Sequence, residues 1–66
     1  MKLSLLEARR LRGKTQEECA KALGVTVTTY RKLERRPELL KVRDLQILSD
    51  FLQIPIEDFL FLAENQ

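Results

Sequence analysis

Two short amphipathic segments joined by a tight turn constrain this chain of 66 residues more than any other feature. They occupy residues 15–34, TQEECAKALGVTVTTYRKLE, and leave almost no linker, so two helices formed there must cross steeply. Thr15 and Glu18 have the spacing of a capping box, in which both side chains accept hydrogen bonds from backbone N–H groups at a helix start. Gly24 suits the left-handed conformation that ends a helix, and Thr26 can cap a second helix two residues later. The predicted helices are helix 2, about Gln16–Leu23, and helix 3, about Val27–Arg35.

A tight, glycine-containing turn between two short helices is the build of the DNA-binding helix-turn-helix. The residues around this turn resemble the lambda-repressor/Cro-like family, often called the XRE family. The positions that carry the resemblance are Gln16, Glu17, Ala20, Leu23, Gly24, Val25, Thr28, Thr29, Lys32, Leu33 and Glu34. The resemblance extends from Leu5 to about Leu60. It implies an all-α, compact five-helix fold with the helix-turn-helix at helices 2 and 3, and a general DNA-binding activity without a particular operator.

The remaining helices follow from local signals, and residues 1–66 are expected to form a single helix-turn-helix domain. Ser4 and Glu7 form a second capping box that starts helix 1, which runs to about Arg12 and ends at Gly13. The other predicted helices are helix 4, about Val42–Leu52, and a short helix 5, about Ile56–Leu62. The expected inward side chains are Leu5, Ala8, Cys19, Ala20, Leu23, Tyr30, Leu33, Leu45, Leu48, Leu52, Ile54, Ile56, Phe59 and Leu60.

Three of the departures from the family pattern concern helix ends and connections. Lys14 replaces the apolar residue that usually precedes the cap of helix 2, so we expect Leu11 to cover that part of the core. Residues 35–37 replace an early glycine after helix 3, and the apolar pair Leu39-Leu40 is expected to tuck this connection against the core. Gln53 stands where the left-handed cap of helix 4 commonly has glycine.

Composition narrows the functional classes. The chain has one cysteine, Cys19, and no histidine, so a disulfide, a metal site and histidine-based catalysis are not expected. Cys19 lies on an apolar helix face, which favours a small hydrophobic role over a redox sensor. The apolar runs are far shorter than the ~20 residues that span a bilayer, which favours a cytoplasmic protein. No cofactor and no small-molecule ligand are expected.

The charges are distributed unevenly along the chain. Residues 1–36 contain ten Lys or Arg and four acidic residues, whereas residues 37–66 contain two Lys or Arg and six acidic residues. The two segments therefore carry net charges of +6 and −4, although the whole chain carries only +2. A basic segment that contains the helix-turn-helix suits a polyanionic partner on that side. The alternative is an ordinary solvated surface.

Helix 3 supplies the candidate base contacts, because a recognition helix enters the major groove with its N-terminal residues at the base edges. Since Tyr30 and Leu33 are expected to point inward, helical geometry nominates four other residues: Val27, Thr28, Arg31 and Lys32. The resemblance assigns base contacts to Val27, Thr28 and Lys32, and plain solvent exposure is the alternative for Arg31 and Lys32. Val27 can meet a thymine methyl group, Thr28 can also hydrogen-bond, and Lys32 can donate to guanine O6 and N7.

Other charged and polar residues are assigned to the DNA backbone or to the fold. Gln16 begins helix 2, where backbone N–H groups attract a phosphate, and the resemblance places its side chain on the DNA backbone. Arg35 and Arg36 follow helix 3 and are further candidate phosphate contacts, unless they are simply solvated. Arg9 and Glu34 lie at inward or seam-facing positions that the family pairs, which predicts a structural ion pair.

Helices 4 and 5 carry more apolar side chains than a small core needs. The predicted interface of a homodimer consists of Ile47, Phe51, Phe61 and Leu62, which would otherwise form an exposed apolar patch. A symmetric dimer would set two recognition helices about 34–36 Å apart and require a near-palindromic operator. The alternative is that the core encloses all four side chains.

Three functional readings remain. The leading one is a sequence-specific regulator of transcription that binds double-stranded DNA, with a repressor as the expected form. The second is an antitoxin-like or accessory module that keeps the fold and binds another protein. A small enzyme is the third, and it is disfavoured by the absence of histidine, of an activated nucleophile and of a phosphate-cradling glycine loop.

Overall fold

The computed structural model describes residues 2–59. In this part of the chain four α-helices enclose one core, and two short 3-10 turns follow α3 and α4. The α-helices are α1 (Leu5–Leu11), α2 (Gln16–Leu23), α3 (Val27–Arg35) and α4 (Val42–Leu52), and the 3-10 turns are Pro37–Leu39 and Ile56–Asp58. The predicted bounds of helices 2, 3 and 4 are confirmed.

Local hydrogen bonds set the starts of the first two helices, and both predicted capping boxes are present. At α1, the Ser4 Oγ accepts from the Glu7 backbone N at 3.1 Å, and the Glu7 Oε1 accepts from the Ser4 backbone N at 2.8 Å. At α2, Thr15 and Glu18 exchange the same two bonds at 3.0 and 2.8 Å. Each pair satisfies backbone donors that a helix start would otherwise leave unpaired.

The turn between α2 and α3 fixes the angle of the helix-turn-helix. Gly24 adopts the left-handed conformation at φ 75°, where a side chain would be strained. The backbone N of Val25 then donates to the Ala20 carbonyl at 3.0 Å, which closes the end of α2. Thr26 starts α3 at once, since its Oγ1 accepts from the Thr29 backbone N at 3.2 Å. The three residues between the helices therefore leave little freedom in how α3 is presented.

The core lies where all four helices meet, and it holds most of the predicted inward residues. Tyr30, Phe59 and Leu48 are among the largest side chains that it encloses completely. The buried apolar residues are Leu5, Ala8, Cys19, Ala20, Tyr30, Leu33, Leu45, Leu48, Leu52, Ile54 and Phe59. Leu23 and Ile56, which were expected inside, are partly buried and pack against this cluster.

The predicted count of five helices is not confirmed. Ile56–Asp58 forms a single 3-10 turn, and Phe59 then becomes extended at φ −84° and ψ 125°. The Asp58 carbonyl, which a continuing helix would use internally, accepts instead from the backbone N of Leu3 at 2.7 Å. Leu3 and Phe59 form an isolated parallel bridge there. Pairing with the N-terminal segment thus follows the 3-10 turn at Asp58 and Phe59, and the rest of the predicted helix lies outside the described residues.

Of two predictions about which apolar side chains cover the core, one was wrong and the other was confirmed only in part. Leu11 is 54% exposed and does not cover the core next to α2. Lys14 is half-buried there instead, with its ammonium 5.3 Å from the centre of the Phe51 ring, an arrangement that a cation favours over an aromatic face. In the connection after α3, Leu40 packs against the core, whereas Leu39 is 39% exposed.

The C-terminal end of α4 is capped by a side chain from a distant part of the sequence, Arg12. Gln53 occupies the left-handed cap at φ 57°, the position where the sequence pattern favours glycine. The Arg12 Nε donates to the Leu52 carbonyl at 2.9 Å, and its Nη2 donates to the Gln53 carbonyl at 3.0 Å. These bonds satisfy carbonyls at the end of α4 that have no partner inside the helix. Arg12 therefore stabilises a cap that lacks the favoured residue.

Candidate nucleic-acid interface

One face of α3 is turned to the core and the other to solvent. Tyr30 and Leu33 are buried, as predicted. Three of the four candidate base contacts, Thr28, Arg31 and Lys32, are exposed on the opposite face. The fourth candidate, Val27, is half-buried and packs partly against the core. The structure therefore presents a polar and basic surface on α3, with one apolar side chain at its leading edge.

Gln16, at the first position of α2, links this surface to the interior. Its Nε2 donates to the Glu34 Oε1 at 3.0 Å, and its Oε1 accepts from the Arg31 Nε at 3.1 Å. The amide therefore uses both of its ends within the protein. It joins the start of α2 to the middle and the end of α3, so the two helices are cross-linked on the side where α3 is exposed.

Arg9 and Glu34 form an ion pair across the seam between α1 and α3. The Arg9 Nε donates to the Glu34 Oε2 at 2.6 Å, and the Arg9 Nη1 donates to the Lys14 carbonyl at 3.0 Å. The two charged side chains are only 12% and 7% exposed. An arginine fork is suited to hold a carboxylate and a carbonyl at once. The pair fastens α1 to the end of α3 and to the turn before α2.

The environment of Glu34 favours its ionised form. Burial by itself would raise the pKa of this carboxyl, but hydrogen bonds from Arg9 and Gln16 and the charge of Arg9 outweigh it and lower the pKa. The same hydrogen bond, opposed by burial, raises the pKa of Arg9 further above its usual range. Both charges therefore persist at neutral pH.

A buried hydroxyl and a buried thiol lie beside this pair. Burial raises the pKa of Tyr30, and the nearby charge of Glu34 adds to the effect. The Tyr30 hydroxyl has no partner with hydrogen-bond geometry in the described part of the chain. Burial likewise raises the pKa of the Cys19 thiol. Cys19 is 0% exposed, which agrees with its prediction as a small hydrophobic residue.

The two candidate phosphate contacts after α3 differ in their surroundings. Arg35 is exposed at the last position of α3. Arg36 is also exposed, but its Nε donates to the Glu38 Oε2 at 3.1 Å. An exposed pair of this kind contributes little to stability. Arg36 can therefore leave Glu38 for a phosphate at small cost.

The two candidate dimer residues in the described part of the chain are only partly accessible. Ile47 and Phe51 are half-buried, and Phe51 packs against the core beneath Lys14. Phe61 and Leu62 lie outside the described residues. The large apolar side chains that are exposed within residues 2–59 are Leu11, Val25, Leu39 and Val42. They are not the ones that the sequence pattern nominates.

Three contacts of this region have no signal in the sequence pattern. They are the hydrogen bond between Gln16 and Arg31, the hydrogen bonds of Arg12 to the last carbonyls of α4, and the contact of the Lys14 ammonium with the Phe51 ring. Each joins residues at least 15 positions apart in the chain, so the local sequence pattern does not predict it. Of the side-chain contacts between helices, only the Arg9–Glu34 ion pair was predicted, and that prediction came from the family resemblance.

The architecture and the basic outer face of α3 define a class, the small helix-turn-helix DNA-binding domains. A family model described as helix-turn-helix, of the Cro/C1 type also called XRE, matches residues 5–59, and the chain belongs to this family. It is a family of DNA-binding regulators and not a family of enzymes. Searches of curated proteins and of solved structures gave no significant match. Across residues 2–59, no helix has the length and apolar character needed to cross a membrane.

Proposed function

We propose that this protein is a repressor of transcription that binds a specific double-stranded DNA site and places α3 in the major groove. One observation carries the proposal. The exposed face of α3 presents Thr28, Arg31 and Lys32, while its buried face is fixed to α2 by the Gly24 turn and to α1 by the ion pair of Glu34. A rigid helix with a polar and basic outer face is what groove recognition requires.

Specificity is assigned to three side chains of α3. Thr28 can exchange a hydrogen bond with a base edge or pack on a thymine methyl group, and Lys32 can donate to guanine O6 and N7. Val27 offers only methyl groups, and its partial burial restricts it to a contact with thymine at the edge of the groove. Affinity is assigned to phosphate neutralisation by the basic side chains around α3.

The backbone contacts are assigned to Gln16, Arg35 and Arg36. Gln16 stands at the start of α2, where free backbone N–H groups favour a phosphate. Arg35 and Arg36 continue from the exposed end of α3. The basic charge of residues 1–36 and the acidic charge of residues 37–66 orient the molecule with α3 toward DNA.

Substitutions on a site selected from random duplexes test this assignment. Thr28→Ala and Lys32→Ala should each weaken binding to the selected site by about 1–3 kcal/mol and affect random duplex far less. Arg35→Ala should weaken both DNAs alike and flatten the salt dependence, because a phosphate contact carries no sequence information. Lys21→Ala, which removes an exposed charge at the other end of α2, is the matched control.

The salt dependence of the wild type separates this proposal from a module that binds only protein. A DNA-binding domain that neutralises several phosphates loses affinity steeply as salt rises. If the protein shows no salt-sensitive binding to any duplex, the proposed function is wrong and the alternative, an antitoxin-like or accessory module that binds another protein, is favoured. Equal losses on both DNAs for Thr28→Ala and Lys32→Ala would instead move these residues to the backbone.

A further part of the proposal is a homodimer that covers the outer side of α4. The support is the partial exposure of Ile47 on that side, together with the apolar residues Phe61 and Leu62 later in the sequence. A two-fold dimer presents two copies of α3 to one face of DNA, so its operator would be near-palindromic.

A further inference from the structure

Among the four candidate base contacts, Arg31 alone has a side chain that is hydrogen-bonded to another side chain of α2 or α3 in the described residues. Its Nε donates to the Gln16 Oε1 at 3.1 Å. Thr28 and Lys32, on the same outer face of α3, have no such side-chain partner in the described residues. The guanidinium of Arg31 is thereby drawn toward the start of α2 instead of standing free above the helix.

The orientation of Gln16 is itself fixed by a second bond. Its Nε2 donates to the Glu34 Oε1 at 3.0 Å, and a carboxylate accepts from an N–H2 group but cannot donate to an amide oxygen. The amide oxygen must therefore point away from Glu34, which is the direction of Arg31. Glu34 is immobilised in turn by the Arg9 Nε at 2.6 Å.

The result is a chain of four side chains that runs from the interior to the surface. Its order is Arg9, Glu34, Gln16 and Arg31, and only the last of them is exposed. Every bond in it involves at least one charged group, and charge-assisted bonds are stronger than neutral ones. Arg31 is therefore oriented before any DNA arrives, with the four N–H groups of Nη1 and Nη2 still available.

We propose that Gln16 and Arg31 act as one unit that binds a single phosphate group of the DNA backbone, and that Arg31 does not contact a base. This inference rests on the proposed function, in which Gln16 contacts the phosphate backbone of the DNA. A guanidinium whose Nε is bonded to Gln16 faces the same phosphate, and its two Nη groups match the geometry of phosphate oxygens. Gln16 acts as the positioning residue for Arg31, and base readout is left to Val27, Thr28 and Lys32.

The first test compares binding to the selected site and to random duplex. Arg31→Ala should weaken both by a similar factor, about tenfold, and reduce the slope of log affinity against log salt by about 0.9, the value for one phosphate contact. Gln16→Ala should also weaken both DNAs alike. The double variant should lose much less than the product of the two single losses, because residues that act as a unit are non-additive.

Two variants serve as controls. Arg31→Lys keeps the charge without the planar fork, so it should retain most of the salt slope while losing part of the affinity for both DNAs. Thr28→Ala, as a base-contact control, should weaken only the selected site. If Arg31→Ala weakens the selected site at least tenfold more than random duplex, Arg31 contacts a base and the inference is wrong.

The second test needs no DNA. The Nε–H resonance of Arg31 in the free protein should exchange slowly with solvent in the wild type and should shift and exchange faster in Gln16→Ala, with Thr28→Ala leaving it unchanged. An Nε–H signal that Gln16→Ala does not affect overturns the pairing even if DNA binding is normal. A wild type that binds no DNA, with the Nε–H signal still dependent on Gln16, overturns the proposed function along with the phosphate role and leaves the side-chain pairing established.

Discussion

At the scale of single residues, Glu34 links three helices through its carboxylate. Its carboxylate accepts from Arg9 of α1 and from Gln16 of α2 while its own backbone belongs to α3. A carboxylate that is 7% exposed must have such partners, because a buried charge without them is strongly destabilising. The sequence pattern indicated the pairing with Arg9 through the family, but it did not indicate that Gln16 shares the carboxylate.

Removing Arg9 should destabilise the fold in the absence of DNA. Arg9→Ala leaves Glu34 in a seam with one neutral partner, and breaking a buried pair costs about 3–5 kcal/mol. The remaining exposure of the pair favours the lower end of that range. Chemical denaturation of the free protein measures the loss, with Arg10→Ala, an exposed neighbour in α1, as the control. Unchanged stability combined with weaker DNA binding would make Arg9 a phosphate contact.

The ion pair should also make stability depend on pH in the acid range. The folded state lowers the pKa of Glu34 below its ordinary value of 4.5, so the unfolded chain binds a proton first as pH falls. The stability advantage of wild type over Glu34→Gln should therefore be complete above about pH 4.5. It should shrink as pH falls through the lowered pKa of the folded state. Urea denaturation across pH 2–7 measures it, with Glu17→Gln, at an exposed site, as the control. If the stability difference between wild type and Glu34→Gln stays constant across this pH range, the lowered pKa of Glu34 is contradicted.

At the scale of elements, local signals determined most of what the sequence could predict. The bounds of α2, α3 and α4 follow from caps, left-handed glycine or glutamine, and inward spacing, all of which act within one or two turns. The predicted fifth helix is not confirmed: within the described residues it is a 3-10 turn, after which a distant backbone group, the N–H of Leu3, donates to the Asp58 carbonyl. Lys14 on Phe51 and Gln16 on Arg31 were missed for the same physical reason, since such contacts exist only once the helices are packed.

The cap that Arg12 places on α4 gives a prediction for that element. Arg12→Met keeps most of the side-chain stem but removes both bonds to the carbonyls of Leu52 and Gln53. We expect a loss of about 1–2 kcal/mol in the free energy of unfolding, toward the lower end for hydrogen bonds to charged groups because Arg12 is exposed. Thermal unfolding measures it against Arg10→Met, which removes the same charge two residues earlier in the chain. Equal losses in both variants would attribute the effect to net charge and not to the cap.

At the scale of the whole molecule, the charges divide between two segments of the chain. The basic charges are concentrated in the segment that contains α2 and α3, and the acidic ones in the segment that contains α4. A chain of 66 residues buries only about 60% of its unfolded surface, so additional burial between copies would stabilise it appreciably. Joining through the acidic segment would leave both copies of α3 free for DNA.

The homodimer proposal has a direct test in sedimentation. The wild type should be dimeric at high micromolar concentration, and Ile47→Glu and Phe61→Glu should each shift it to monomer by placing a charge in the interface. Val42→Glu is the matched control, because Val42 is the most exposed large apolar residue in the described part of the chain and lies outside the proposed interface. Circular dichroism confirms that each variant is folded, which matters for Ile47 because it is half-buried. A wild type that stays monomeric both free and on a near-palindromic duplex, or a Val42→Glu variant that dissociates like the others, would show that this face does not join two copies.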